Sequence, residues 1–369
     1  GDLDKAARIQ GNAFTLLLIT GAVLTLLGLI FTKPILYALG ASDATYPYAA
    51  SYLRIYLMGT VFVLISHGMN SLINAQGYAH IGMLTVVIGA VLNLILDPIF
   101  IFKLNLGVKG AAIATVIAQA VSAFLCFLKL LKMTDLFDIT KEYLKPTKHH
   151  SLTMVRLGLP SGLTQAIMSM AMIIVQSLTN SFGEMFIAAN VIIMRVDGFA
   201  MMPNMSFGNS MTTYTGQNVG AKQYERVEKG AKQGTLMAIG VSTTITALIL
   251  IFGKYLMGVF TTTQELVELS MKMMCILAPG YIAVAVSQSL SGVMRGAGDT
   301  MTPMWISLFT TVALRVPIAY GISYLTRTPE LPTGRSECIF ISLLLSWCAG
   351  ALLNIIAYKR GNWKKKAVQ

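Results

Sequence analysis

The sequence predicts an all-α polytopic membrane protein: about ten transmembrane helices arranged as two lobes by an internal parallel repeat. Three observations carry that prediction. Only 12% of the 369 residues are charged while 55% are hydrophobic, whereas a soluble chain carries about a quarter charged residues. The charge is confined to short patches between apolar runs of about 20 residues, the length that crosses a bilayer as a helix. The chain also partly matches itself when shifted by 221 positions.

The runs fall in order at 13–32, 50–74, 81–102, 110–131, 157–180, 185–213, 234–256, 273–294, 302–325 and 338–358. Lipid offers no partner to a backbone N–H or C=O, so each run is expected to be helical. The opening "GDLDKAARIQG" reads as an internal loop and not as a cleavable leader. The run 81–102 holds one charge, Asp97. Between 131 and 157 lies the one long polar stretch, "KMTDLFDITKEYLKPTKHH" and onward.

A net charge of +12 invites a nucleic-acid reading, and its distribution argues against it. With the first loop placed in the cytoplasm and the sides alternating, eighteen Lys and Arg lie on the cytoplasmic side and eight on the other; Arg195 and Arg315 fall inside helices. The positive-inside rule accounts for that excess.

The self-match places "TLLGLIFTKPIL" (25–36) over "TALILIFGKYLM" (246–257), and then Gly59 over Gly280, Ser66 over Ser287 and Gly77 over Gly298. Both halves begin on the same side, so the repeat is parallel. Position 1 falls on Lys222, which two helices precede in the second half, so two further helices are expected ahead of the first half. The complete repeat would be twelve helices. The expected division is an N-terminal lobe at 1–131 (helices three to six of the full pattern), a cytoplasmic linker at 132–156 and a C-terminal lobe at 157–369 (helices seven to twelve).

Little points to an enzyme. Cys126, Cys275, Cys338 and Cys348 have no metal spacing and are expected to be buried small hydrophobes. His67, His80, His149 and His150 show no ligand pattern, and "RGAGD" (295–299) lacks the lysine and the preceding strand of a nucleotide loop. No cofactor and no resident metal are expected.

The intramembrane charges carry the functional reading. A carboxylate near the centre of a membrane helix costs about 2.5–3.5 kcal/mol on insertion scales, so it faces protein or a wet cavity. Asn93 lies four residues before Asp97, on the same helix face. Pro98 removes a donor and should kink the helix, freeing carbonyls as cation ligands. Two readings fit: a structural acid beside a kink, or a group that binds a coupling cation. For Asp197, an ion pair with Arg315 competes with a transport role; Arg195, two residues away, points elsewhere. Nine methionines in the two helices from 157 to 213, Met172 and Met201 among them, are either ordinary packing or an adaptable wall for apolar cations. Gln165, Gln176 and Asn180 add polar points; the first two, eleven residues apart, share a face.

"RVDGFAMMPNMSFGNSMTTYTGQNVGAKQYERVEKG" (195–230) resembles the multidrug and toxic compound extrusion (MATE) family, and "LGLPSGL" (157–163), "INAQG" (73–77) and "MRGAGDTMTP" (294–303) look like the family's loops and helix starts. The Gly-rich part, 216–221, reads as a turn followed by a basic amphipathic helix. The resemblance covers nearly the whole chain. It implies a two-lobe secondary antiporter that exchanges H+ or Na+ for small amphipathic, often cationic compounds, as a monomer surrounded by lipid in a bacterial plasma membrane. In one branch of the family an Asn-x-x-x-Asp pair on helix five joins a threonine on helix six and an aspartate on helix one, and that aspartate has no match in this sequence. This implies a cation site at Asn93, Asp97 and Thr115 with Pro98 as the hinge. It also implies a substrate cavity drawing on Gln165, Gln176, Asn180, Met172, Arg195, Asp197, Met201 and Arg315. The rival readings are a lipid-linked-precursor flippase of the same superfamily and an inactive fragment.

Overall fold

A computed structural model describes residues 3–132 and 141–367. Part of the expected linker, 133–140, lies outside the described residues. Among those described, eight helices are each long and apolar enough to cross a membrane, and two bent pairs bring the number to ten. By internal packing the chain divides into two compact units, Gly1–Val155 and Arg156–Gln369.

The first unit runs α1 (Leu3–Ile30), α2 (Thr32–Ala38), α3 (Tyr46–Met58), α4 (Thr60–Ala75), α5 (Ala79–Pro98), a π-helical turn (Ile99–Lys103), α6 (Gly107–Leu131) and α7 (Lys141–Leu144). The second unit takes α8 (Lys148–Asn180) from its ninth residue onward. It continues with α9 (Glu184–Gly220), α10 (Tyr224–Gly258), α11 (Gln264–Leu277) and α12 (Gly280–Gly296). Then come α13 (Met301–Leu308), a second π-helix (Phe309–Arg315), α14 (Val316–Leu325), α15 (Cys338–Arg360) and α16 (Asn362–Ala367).

Several expectations are corrected. Residues 3–11, read as part of a loop, are the first turns of α1, and α8 starts nine residues before the expected 157. Gly216 and Gly220 are not a turn: α9 runs through both, and the left-handed residue is Lys222, at φ 58°. Gly216 instead lies close under α12, where a Cβ would stand 3.6 Å from the Gly296 carbonyl oxygen. Cys126 and Cys338 are buried as expected, but Cys275 and Cys348 are exposed, because an apolar thiol suits a lipid-facing position as well as a core.

The repeat is visible in backbone geometry. The α3–α4 pair bends by 50° at Gly59 and the α11–α12 pair by 46° at Ala278–Pro279, and the 221-residue shift brings the two breaks to within two residues of each other. At the first bend the Thr25 hydroxyl donates to the Leu57 carbonyl at 2.7 Å; at the second its equivalent, Thr246, donates to the Ala278 carbonyl at 3.1 Å. Each bent pair then ends in the same turn. Gly77 and Gly298 both sit at φ +88°, a region glycine enters without a Cβ penalty. The following amides, of Tyr78 and Asp299, reach back to the Ile73 and Met294 carbonyls.

Small residues set the helix spacing, as they do where lipid supplies no hydrophobic drive between helices. The buried stripe of α6 is Gly110, Ala112, Ala114, Ala118, Ser122, Ala123, Cys126 and Leu130. In the second unit α9 and α12 meet at glycines. A Cβ on Gly292 would stand 2.3 Å from the Gly208 carbonyl oxygen, and one on Gly296 2.4 Å from that of Thr212. Buried amides link the helices around these contacts. Asn204 donates to the Tyr281 carbonyl at 3.3 Å and accepts from the Ser242 hydroxyl at 2.6 Å; Asn354 donates to Ser287 Oγ at 2.9 Å and accepts from Ser291 at 2.8 Å.

Each unit also carries a short helix on its first long repeat helix. In the first unit Asn12 of α1, 1% exposed, donates to the Tyr143 and Lys145 carbonyls at 3.1 and 3.3 Å and accepts from the Thr147 amide at 2.6 Å. Arg8 pairs with Glu142 at 2.7 Å. In the second unit Trp363 of α16, 1% exposed, packs beside Val227 and Ala231 of α10, and Lys364 pairs with Glu228.

The glycine contacts predict that Gly292→Val forces α12 off α9 and costs about 1–3 kcal/mol. This should appear as a lower unfolding temperature in detergent, whereas Gly240→Ala, with open space around it, should show no loss. A second prediction concerns Glu337, just before α15. Lys272 bonds it at 2.7 Å and holds its carboxyl below the ordinary 4.5. A depressed acid stabilises the fold above its unfolded value, and that contribution is lost as the pH falls below 4.5 through the folded value. Lys272 is exposed, so the effect should stay within about 1 kcal/mol. Glu337→Gln should flatten the unfolding curve below pH 4.5 and lower stability near neutrality by up to about 1 kcal/mol.

Candidate functional site

The three residues expected to hold a cation come together between α5 and α6. Asn93 and Asp97 stand one turn apart, and the Asn93 amide donates to Asp97 Oδ1 at 3.2 Å and to Thr115 Oγ1 at 3.5 Å. The Thr115 hydroxyl spends its own proton on the Ala111 carbonyl at 2.9 Å, so its oxygen faces Asn93 as an acceptor. All three are half-buried. Their oxygens are hard ligands around one carboxylate, a set matched to a proton or a monovalent cation. Among the described residues no cluster of three or more His, Cys, Asp or Glu is gathered for a metal ion.

Beyond Pro98, where a kink is expected, the helix opens into a π-helical turn over Ile99–Lys103, closed by the Leu104 amide on the Ile99 carbonyl at 2.9 Å. A wide turn accommodates the missing proline N–H. Gly110 of α6 admits that turn: a Cβ there would stand 2.6 Å from the Phe100 carbonyl oxygen. The turn and the Asn93–Asp97–Thr115 cluster thus rest on the same stretch of α6. In the second unit the wide turn precedes its proline, Phe309–Arg315 before Pro317.

Asp197, Tyr281 and Arg315 lie within electrostatic reach of one another. The expected ion pair is not formed: no oxygen of Asp197 comes within 4.0 Å of the Arg315 guanidinium, and Asp197 Oδ1 and Arg315 Nε are buried without a hydrogen-bond partner. Arg315 ends a π-helix, whose extra residue per turn carries its side chain off the register that an α-helix would give. Arg195 is exposed.

A cavity of about 460 Å³ opens within the second unit among α8, α9, α12, the α13–π segment and α15. Gln165 and Met201 line it; Gln176, Asn180, Met172, Arg195, Asp197 and Arg315 do not. Gln165 and Gln176 share a face yet stand eleven residues apart, about 16 Å along a helix. Gln176 bonds Asn180 at 2.8 Å near the far end of α8, and Met172 is exposed. Sequence reasoning missed most of the polar lining, including Asn209, Ser291, Arg295 and Ser346. Isolated serines and amides in apolar runs carry no periodic signal.

The MatE family model matches residues 1–99 and 160–321. The chain belongs to the MatE family. It is 27% identical to "Probable multidrug resistance protein YoeA" of Bacillus subtilis (strain 168), over 99% of this chain and 79% of that protein. It is 23% identical to "Probable multidrug resistance protein NorM" of Thermotoga maritima, over 99% and 78%. "Multidrug export protein MepA" of Staphylococcus aureus (strain MSSA476) is 25% identical over 76% of this chain and 62% of its own length.

Solved structures agree on the fold. "Outward-facing conformation of a multidrug resistance MATE family transporter of the MOP superfamily" superposes at a TM-score of 0.90 with 24% identity, covering 100% of this chain and 81% of that one. "Crystal structure of MATE in the bent conformation" gives 0.86 at 22% identity, over 99% and 85%. This MatE-family chain therefore has the two-lobe fold of a multi-pass membrane protein.

Proposed function

We propose that the chain exports structurally varied amphipathic compounds, often cationic, from a bacterial plasma membrane, driven by the inward movement of H+ or Na+ at Asp97. The protein acts as a monomer surrounded by lipid and without a cofactor. The observation that carries the reading is the meeting of Asn93, Asp97 and Thr115 across α5 and α6, with a π-helical turn directly beyond Pro98. The printed names of the relatives, multidrug resistance and multidrug export proteins, support the class of cargo.

The chemistry is as follows. An ionised Asp97 attracts a cation, and the Asn93 amide can turn its oxygen toward it while Thr115 offers a lone pair. Neutralising Asp97 by H+ or Na+ removes the cost of a bare carboxylate at membrane depth and alters its hydrogen bond to Asn93. That change is felt at Pro98 and the wide turn, which is packed on α6 through Gly110, and it biases the lobes between inward and outward access. A ligand shifts such an equilibrium only as far as its affinities for the two states differ. The exchange is therefore set by how differently the two states hold Asp97.

Everted vesicles that take up a fluorescent cationic dye from the outside medium test this. Asp97→Asn should abolish ion-driven dye transport, and Thr115→Val should weaken it about tenfold by removing one ligand. Imposing a Na+ gradient and a pH gradient separately identifies the coupling ion. Unimpaired transport by Asp97→Asn would overturn the assignment.

A further inference from the structure

The cavity in the second unit has a chemistry opposite to that of the Asp97 site. Its one charged lining residue is Arg295, in the last turn of α12. No carboxylate lines it, and among the described residues Arg295 has no ion-pair partner within 4.0 Å. Next to Arg295 along the chain and across the cavity stand neutral donors: Gln288, Thr300, Ser307 and Asn209. A lone guanidinium among hydroxyls and amides is a fork for a carboxylate or phosphate.

Away from Arg295 the lining gains apolar surface: Val284, Trp347, Met201 and Met205 line the cavity among Ser287, Thr310 and Ser346, the methionines being walls that repack around differently shaped chains. Val284 and Arg295 are eleven residues apart on α12, about 16 Å along the axis. The cavity thus joins a cationic, hydrogen-bonding end to a more apolar end one acyl chain away.

We infer that this cavity binds an amphipathic anion, its acidic head group held by Arg295 and the surrounding donors and its tail laid against Val284, Met201 and Trp347. The site is separate from Asp97 and does not rest on the coupling mechanism, so either reading can fail alone. Its ligand class is a fatty acid or another single-chain acidic amphiphile, whether carried as cargo or taken from the lipid.

The purified full chain in a neutral detergent tests the inference with a dansyl-labelled fatty acid. Saturable fluorescence enhancement is expected, competed by unlabelled fatty acid and not by the trimethylammonium compound of the same chain length. Arg295→Gln should weaken binding at least tenfold and Arg295→Lys should restore part of it. Ser307→Trp, which fills the cavity and leaves the charge in place, should also abolish binding, and unfolding temperatures show whether each variant is folded. Equal competition by the ammonium compound would overturn the proposal. So would displacement by inorganic phosphate as effective as by the fatty acid, or unchanged binding in folded Arg295→Gln and Ser307→Trp.

Discussion

Every carbonyl that a bent helix exposes inside a bilayer must find a donor, because lipid provides none. The rest of this fold depends on how that constraint is met. At both sharp bends the donor is a threonine hydroxyl from the first long helix of the repeat, Thr25 on the Leu57 carbonyl and Thr246 on the Ala278 carbonyl. The bends tilt α4 and α12 onto the helices they pack against. For α12 those include α10 and also α9 and α15, two walls of the second-unit cavity. Glycine then decides how near the helices come. Gly59, at the first bend, takes the Val116 side chain where a Cβ would collide with it at 2.4 Å; Gly280, at the second, takes the Trp347 ring at 2.6 Å.

On this shared frame the two units carry different chemistry. Both keep a proline in a late helix and both widen it into a π-helical stretch, which marks the proline as architecture. The acid beside Pro98 has no counterpart beside Pro317, where Arg315 stands. Asp97 meets a threonine and an asparagine, an oxygen-rich setting for a cation. The second unit gathers serines, amides and Arg295 around a cavity without a lining acid. Ser66 and Ser287 show the divergence at one repeat position. Ser66 hydrogen-bonds Ser122 in a packed seam at 3.1 Å, while Ser287 accepts from Asn354 and lines the cavity. A duplicated scaffold can take on opposite ligand preferences because the residues that satisfy the backbone are not those that face the ligand.

The sequence by itself determined the helix inventory, because membrane thickness sets the length of an apolar run and charge cannot enter it cheaply. It determined the repeat as well, because glycine at Gly77 and Gly298 is required by a backbone angle and not by a neighbour. Asn93 and Asp97 were legible because helical periodicity puts residues four apart on one face; Thr115 was placed with them by family resemblance, and the fold set it at hydrogen-bonding distance. Other features were decided only in three dimensions. Pro98 alone does not say that the helix widens; that depended on Gly110 of α6 leaving room for the Phe100 carbonyl. Asp197 and Arg315 remained apart because a π-helix shifted the register that an α-helix would have given. The second-unit cavity draws on residues 161 to 350, and no local pattern connects them: a side chain lines a cavity through where its helix is packed, and packing is a property of the whole unit.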